Sequence, residues 1–124
     1  MKRLAKKIEE QLTNILDNFK LEVTKIVNEE VEIISKNLLR SLENDSPKKT
    51  GKYSKSWKSD KTINETNKKV ITVYNKKGQL THLLERGHLT KDGKSRTKAY
   101  PHIAKNEEEA KKIFIEHITK RIGR

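Results

Sequence analysis

Three of the four histidines lie within one short segment, residues 80–104. Imidazole and carboxylate groups can bind metals or transfer protons, and the candidates for such chemistry are His82, Glu85, His88 and His102. His82 and Glu85 are three residues apart and would share a helix face. His82 and His88 are six apart, however, which fits neither the HExxH pattern nor a common zinc or iron ligand set. We therefore expect no metal site and no cofactor.

Acid–base cleavage of RNA is a second possibility for the same segment. Small basic proteins with His, Arg and Glu side chains beside a sheet include ribonuclease toxins, and lysines could hold the RNA phosphates. The residues available for this chemistry are His82, Glu85, Arg86, His88, Arg96 and His102. No pattern fixes a nucleophile, a phosphate-binding loop or a pair of carboxylates, so the sequence does not predict an enzyme.

Basic charge is concentrated in the middle of the chain. The formal net charge is +12, and residues 47–105 hold 16 Lys and Arg against 4 Asp and Glu, whereas residues 1–46 hold 8 against 9. Such a field attracts polyanions without reading their sequence, and Tyr53 and Trp57, interleaved with lysines, could stack on bases. A solubilising role for the lysines and a core role for the aromatic residues explain the same pattern. A small basic nucleic-acid-binding protein stays open as an alternative function.

The composition limits the class of protein. A chain of 124 residues that is 31% hydrophobic and 37% charged suits a single domain, residues 1–124, with a modest core. Partner subunits would then supply part of its stability. There is no cysteine, which excludes disulfides and thiolate chemistry. The first residues do not resemble a signal peptide, and no apolar run reaches the ~20 residues of a membrane helix. We expect a soluble protein without membrane contact, made in a cytoplasm.

A long helix is the first element that must position the histidine segment. Apolar residues recur at steps of three and four from Leu4 to Leu42, and Gly and Pro are absent before Pro47. This pattern predicts a helix over residues 1–44, broken at most once. At 1.5 Å per residue it would be roughly 60 Å long. Because so small a domain cannot cover such a helix, part of the apolar stripe is expected to pack against another copy or another protein.

A hairpin, a short helix and a second long helix are predicted to follow. β-branched residues at 70–74 indicate a strand, which would pair with residues 52–63. Asn106, with Glu109 three residues later, resembles a capping box and indicates the start of the last helix. The resulting prediction is an α+β fold. After the long helix it has a small antiparallel hairpin at about 52–75, a short helix at 80–86, a basic loop within the 47–105 region, and a C-terminal helix at 106–122.

Four short motifs, in this order, resemble a family of tailed-phage proteins. Residues 50–57 resemble its TGxxxxSW passage, residues 73–88 its VYN and LTHLLExGH passages, and residues 101–104 its PHIxPA passage. The family is the tail-component group typified by the tenth gene product of a lambdoid coliphage. The signature residues in this chain are Thr50, Gly51, Trp57, His82, Leu84, Glu85, Gly87, His88, Pro101 and His102.

The resemblance covers residues 47–122 and departs from the family in two places. Lys105 and Asn106 replace a frequent Pro-Ala pair, and the loop after His88 is rich in Lys and Arg rather than Gly. The resemblance implies a non-catalytic virion protein of a tailed bacteriophage, located at the head–tail junction as a neck or tail-completion protein. It would form a homo-oligomeric ring between a head-closure or connector protein and a tail terminator or tail tube protein.

Structural roles are predicted for the polar signature residues. Gly87 would end a helix with a positive φ, and Pro101 would fix the entry to the last segment. His88 and His102 would form hydrogen bonds across the loop and hold its two ends together. The loop would also ease the passage of DNA through the ring by non-specific contact. Its possible DNA-facing residues are Lys91, Lys94, Arg96 and Lys98.

Overall fold

The computed structural model describes residues 2–48, 51–65 and 67–123, so the signature residue Thr50 lies outside the described residues. The helices are α1 (Lys2–Asp45), α2 (Gly78–Arg86) and α3 (Ile103–Ile122), and the strands are β1 (Trp57–Asn64) and β2 (Lys69–Asn75). A single turn of 3-10 helix, Ser54–Ser56, precedes β1. The predicted α+β class and the predicted order of elements are confirmed.

Helix α1 is unbroken over 44 residues, which makes it about 66 Å long. It ends at Asp45, two residues before Pro47, as the position of this proline had indicated. The backbone N–H of Ser46 donates to the Leu42 carbonyl at 3.0 Å, and the Ser46 hydroxyl donates to the same oxygen. These bonds satisfy a carbonyl group that a helix end would otherwise leave without an intrahelical partner.

Strands β1 and β2 form an antiparallel hairpin that packs on the C-terminal half of α1. Trp57 pairs with Asn75 and Asn64 with Lys69, with an irregularity between Lys61 and Ile63. Side chains of β2 alternate in exposure, with the more buried set facing α1. That set consists of Lys69, Ile71, Val73 and Asn75.

The chain before β1 differs from the prediction of an extended strand from residue 52. The Ser54 hydroxyl donates to the Gly51 carbonyl at 3.1 Å and the Ser56 hydroxyl to the Lys52 carbonyl at 2.6 Å. Such short-range bonds from serine favour a turn over a strand. Tyr53 therefore lies in a turn and Trp57 opens the strand. The two side chains do not share a strand face, although both are buried.

Helix α3 lies antiparallel to α1 and covers part of it. At one end Asn106 donates to Asp45 at 2.9 Å. Near the other end Arg121 bonds to Glu29 at 2.7 Å and to Glu30 at 3.1 Å. The prediction that this helix begins at Asn106 is wrong by one turn, since the helix begins at Ile103. Asn106 lies inside the helix and donates to the His102 carbonyl.

The hydrophobic core of the described chain is small and lies where α1 ends. Its buried members are Leu42, Tyr53 and Trp57, and the partly buried residues around them are Leu38, Leu39, Val73, Leu84 and Ile103. Within the described part of the chain, no helix has both the length and the apolar composition that a membrane crossing requires.

Candidate functional site

His102 is the centre of the histidine segment, and its side chain is fully buried (0% exposed). Its Nε2 lies 2.7 Å from the Tyr53 hydroxyl oxygen, and its Nδ1 lies 2.6 Å from the Tyr100 carbonyl oxygen. Because a carbonyl can only accept, we assign the hydrogen to Nδ1. With that assignment Nε2 accepts from the Tyr53 hydroxyl, whose oxygen also lies 3.3 Å from the Thr81 hydroxyl. Burial raises the pKa of Tyr53 above its ordinary value, so its hydroxyl stays protonated as a donor.

Glu85 caps the N-terminus of α3 from a different helix. Its Oε1 accepts from the backbone N–H groups of His102 at 2.6 Å and Ile103 at 2.9 Å, and its Oε2 accepts from that of Ala104 at 3.1 Å. A carboxylate at this position satisfies donors that the helix leaves unpaired and faces the positive end of the helix dipole. This contact explains why α3 begins before Asn106.

The same three contacts control the ionisation of Glu85. Burial opposes the charged form and would raise its pKa, but the N–H groups of His102, Ile103 and Ala104 outweigh burial and hold the pKa below its ordinary value. Glu85 is therefore an ionised helix cap at neutral pH. A general acid would need the opposite shift.

Trp57 joins the start of the hairpin to the end of α1. Its indole N–H donates to the Ser46 hydroxyl at 2.7 Å, and its ring packs in the core with Leu42. The ring also lies edge-on to Tyr53 and His102, with centroid distances of 5.9 Å and 6.2 Å. One aromatic cluster thus connects α1, the hairpin and the start of α3.

Gly87 ends α2 with φ = 72°, a positive value that glycine adopts readily. A Cβ at this position would lie 2.5 Å from the Thr97 carbonyl oxygen, so no other residue fits without moving the loop. Next to it, the Tyr100 N–H donates to the Leu84 carbonyl at 2.7 Å. This bond fixes the chain immediately before Pro101, which precedes the buried His102 in the sequence.

His88 forms its hydrogen bonds across the loop to Thr97. The backbone N–H of His88 donates to the Thr97 hydroxyl at 2.9 Å, the Thr97 N–H donates to the His88 carbonyl at 2.8 Å, and Nδ1 of His88 lies 3.1 Å from the same hydroxyl. His102 bonds instead to Tyr53 and Tyr100. The structure therefore brings His102 and Glu85 together, leaves His88 at the opening of the loop, and places His82 exposed on α2.

The cationic side chains of the loop differ in how they are held. Arg96 donates to the Gly87 carbonyl at 3.3 Å, and the Lys98 ammonium lies 5.5 Å from the centroid of the Tyr100 ring. Lys91 and Lys94 are exposed. The Thr90 hydroxyl and the Lys94 N–H both donate to Asp92. These hydrogen bonds, that of Thr90 first, lower the pKa of Asp92, and they also close this turn of the loop. The loop is therefore basic and exposed, and hydrogen bonds connect its residues to one another.

The arrangement of Tyr53, His102 and Glu85 resembles an acid–base site in composition, but a substrate cannot reach His102. Among the described residues, every buried side-chain nitrogen and oxygen has a hydrogen-bond partner, and no group of three or more potential ligands could hold a metal ion. The sequence did not indicate that Ser46, Tyr53 and Thr97 bond to the signature residues. Their partners are 9 to 49 residues away along the chain, and no local pattern contains such pairs.

The apolar side chains on the first half of α1 are largely exposed, and surfaces of this kind mark contacts with other proteins. Over residues 6–87 the chain matches the model of the family described as "Bacteriophage HK97-gp10, putative tail-component". The chain belongs to this family of bacteriophage tail components and is thus a structural component of a phage virion. The match includes most of α1 and ends at Gly87, so the Pro101 motif and α3 lie outside it. No curated protein and no solved structure matches the chain.

Proposed function

We propose that this protein is a neck or tail-completion subunit at the head–tail junction of a tailed phage. In this role it forms a homo-oligomeric ring between a head-closure or connector protein and a tail terminator or tail tube protein, and it has no catalytic activity. Family membership supports the virion role, and the burial of His102 and the capping role of Glu85 support a structural use of the segment that resembles an active site.

The exposed half of α1 is the observation on which the proposal depends. The apolar side chains of Ile8, Leu12, Ile15, Leu16 and Phe19 are between 48% and 65% exposed. A monomeric protein rarely exposes a continuous apolar surface of this kind, and such surfaces mark contacts with other proteins. This half of the helix therefore suits contact with neighbouring subunits.

A ring built from identical subunits needs two different surfaces that fit each other. The exposed half of α1 supplies one of them. The outer face of the hairpin with the adjoining basic loop is suited to be the other. That face holds Val70 and Tyr74, both 37% exposed, and Tyr74 donates to Asp60 at 3.0 Å.

The junction role is tested with a phage that lacks the gene. We expect infected cells to accumulate DNA-filled heads and finished tails that are not joined, because such a ring acts after both have been built. Addition of the purified protein to this lysate should restore infectious particles, and a reconstruction of the restored neck should show the ring. Lysates that contain heads but no finished tails would contradict the junction role and assign the protein to tail assembly.

Contact with passing DNA is a separate part of the proposal. Changing Lys91, Lys94 and Lys98 to Glu should slow DNA ejection without blocking assembly, because these exposed or loosely held lysines supply the loop charge. Arg96 is left unchanged, since it bonds to Gly87. The matched control changes Lys111, Lys112 and Lys120 of α3 to Glu. Normal ejection by the loop variant would show that the loop does not act on DNA.

The alternative of a nucleic-acid-binding protein predicts a different result in solution. Such a protein would bind duplex DNA on its own, with an affinity that falls steeply as salt increases. A ring subunit needs no such affinity in the free state. Weak or absent binding by the wild-type protein therefore supports the neck role.

A further inference from the structure

The exposed apolar stripe on the first half of α1 has an unusual order of spacings. Six residues form it, and the steps between them are 4, 4, 3, 4 and 4. The series is the same when it is read from either end of the stripe. The six residues are Leu4, Ile8, Leu12, Ile15 and Phe19, which are exposed, and Val23, which is half-buried.

These residues lie within one sector of the helix surface, and the stripe turns slowly around the helix from Leu4 to Val23. At about 100° per residue, the four steps of four and the single step of three leave a net rotation of about 100° from Leu4 to Val23, so all six directions fall within roughly 100° of one another. The stripe continues into Ile26, which is buried, and Glu30, whose carboxylate bonds to His117 at 2.9 Å. The stripe is therefore the extension, beyond the end of α3, of the face that α3 covers.

We propose that in the free protein this stripe is covered by the same stripe of a second copy, with the two α1 helices antiparallel. Because the spacing is symmetric, a single register aligns all six residues. In that register Leu4 faces Val23 of the second copy, Ile8 faces its Phe19, and Leu12 faces its Ile15. An isologous contact of this kind uses one surface on both subunits.

The charges beside the stripe agree with this register. In a two-fold antiparallel pair the same flank of each helix faces its equivalent. One flank holds Glu9 and Lys20 and the other holds Lys7 and Glu22. The antiparallel register brings Glu9 of one copy near Lys20 of the other, and Lys7 near Glu22, so that opposite charges meet on both sides of the apolar stripe.

The end of α3 leaves room for this partner. At the point where α3 ends there is a groove whose apolar lining is Ile122 of α3 with Phe19, Val23 and Ile26 of α1, and whose charged lining is Glu22, Lys25, Glu29 and Arg121. In the proposed dimer Leu4 of the second copy enters this groove, and its α1 continues along α1 of the first copy from where α3 stops. Each copy would thereby cover about 30 Å of helix that the other leaves exposed.

The dimer belongs to the free protein and goes beyond the ring proposed above. A two-fold contact cannot be the repeating contact of a ring that has a head side and a tail side, because such a ring needs head-to-tail contacts. The stripe would be released from the dimer when the subunit joins the virion. The proposal of a dimer in solution and the proposal of a neck ring can therefore be tested, and contradicted, independently of each other.

Sedimentation of the purified full-length chain tests the pairing. We expect wild-type dimers at tens of micromolar protein, and we expect Leu12→Glu with Ile15→Glu to weaken dimerisation by ~100-fold or more, since it places charges in the apolar stripe. The matched control, Thr13→Glu with Asn14→Glu, adds the same charge at adjacent positions that point away from the stripe, and it should dimerise like the wild type. A monomeric wild-type chain, a larger oligomer, or equal loss in both variants would overturn the proposal.

Cysteine cross-linking tests the antiparallel register, since the chain has no cysteine of its own. A mixture of Ile8→Cys and Phe19→Cys chains should oxidise to cross-linked heterodimers. Either chain alone should not cross-link, because its two cysteines would be about 16 Å apart along the helices. Cross-linking of Ile8→Cys with itself would indicate a parallel pair and overturn the register.

Discussion

The two halves of α1 have the same apolar pattern and opposite surroundings. From Ile26 onwards the helix is packed between α3 and the hairpin, and Leu42 is only 4% exposed. Before Val23 its apolar residues face outwards, and Leu16 is 65% exposed. The comparison shows that an apolar stripe specifies a helix and the face to be covered, whereas the rest of the chain decides how much of it is covered. Helix α3, with 20 residues, covers less than half of α1.

The largest expected difference between the halves concerns leucine truncation. Leu42→Ala should lower the free energy of unfolding by about 2–5 kcal/mol, because it leaves a cavity in the small core. Leu12→Ala should change it by less than about 0.5 kcal/mol in dilute protein, since its side chain is exposed. Urea unfolding followed by the fluorescence of Trp57, the one tryptophan of the chain, measures both. Equal losses would mean that the exposed half already belongs to the cooperative core of the monomer.

The capping of α3 by Glu85 should have the next largest effect. Glu85→Gln removes the charge that three backbone N–H groups share and sets an amide donor against them. It should therefore destabilise the fold by about 1–3 kcal/mol. Glu107→Gln is the matched control on α3, since Glu107 bonds to Lys111 on the exposed surface at 3.1 Å. A loss of similar size in both variants would contradict the capping role.

Acid should destabilise the fold through three carboxylates, of which Glu30 and Glu32 lie on the covered half of α1 and Glu85 lies on α2. The hydrogen bond from His117, and then that from Arg121, lowers the pKa of Glu30 despite its burial. Lys61 and Lys69 lower the pKa of Glu32 to about 2. Burial opposes the charged form of Glu85, but its three N–H donors outweigh burial and hold its pKa below the ordinary value. Unfolding returns each group towards its ordinary value of 4.5. The stabilisation is therefore complete above that pH and is lost as the pH falls towards the folded pKa values.

The measurement is the urea midpoint from neutral pH down to about pH 2.5. We expect the midpoint to fall with pH below about pH 4.5, and to fall less steeply in Glu30→Gln than in the wild type because one of the linked groups is gone. A midpoint that rises on acidification would contradict the assigned ionisation of these carboxylates.

The smallest effect is expected near the C-terminal end of α3, where α3 stops covering α1. Glu29 bonds to Arg121 at 2.7 Å with both side chains partly exposed, so Glu29→Gln should lower the free energy of unfolding by about 0.2–1 kcal/mol. Glu10→Gln removes the same charge from the exposed half and should have no measurable effect. A loss in Glu10→Gln would place an additional contact on the first half of the helix.

Local patterns predicted much of the fold. The apolar steps and the lack of Gly and Pro predicted α1 and its end near Pro47, and the β-branched run predicted β2. The positive φ of Gly87 followed from its position after a short amphipathic helix. The start of α3 was wrong because Asn106 and Glu109 looked like a capping box, whereas the cap comes from Glu85, 17 residues before the first backbone group that it binds. The extended strand before Trp57 was wrong because Ser54 and Ser56 bond to the backbone of their own turn.

For the histidine segment, the sequence predicted the family but not the contacts of the side chains. Spacing argued against a metal site, and motif order predicted the tail-component family, which the family match confirms. The partners of His102 and Trp57 could not be predicted, because Tyr53 and Ser46 come next to them only when distant parts of the chain fold together.

Periodicity and motifs of a few residues were enough to predict the order of the helices and strands, the family and the apolar face of α1, although not the starts of α3 and β1. Tertiary structure decided that His102 is buried as a joint, that Glu85 is a helix cap, and that the cover of α1 stops near Val23. These outcomes depend on where separate elements meet in space and on the length of α3 relative to α1. That meeting leaves one half of a continuous apolar stripe exposed.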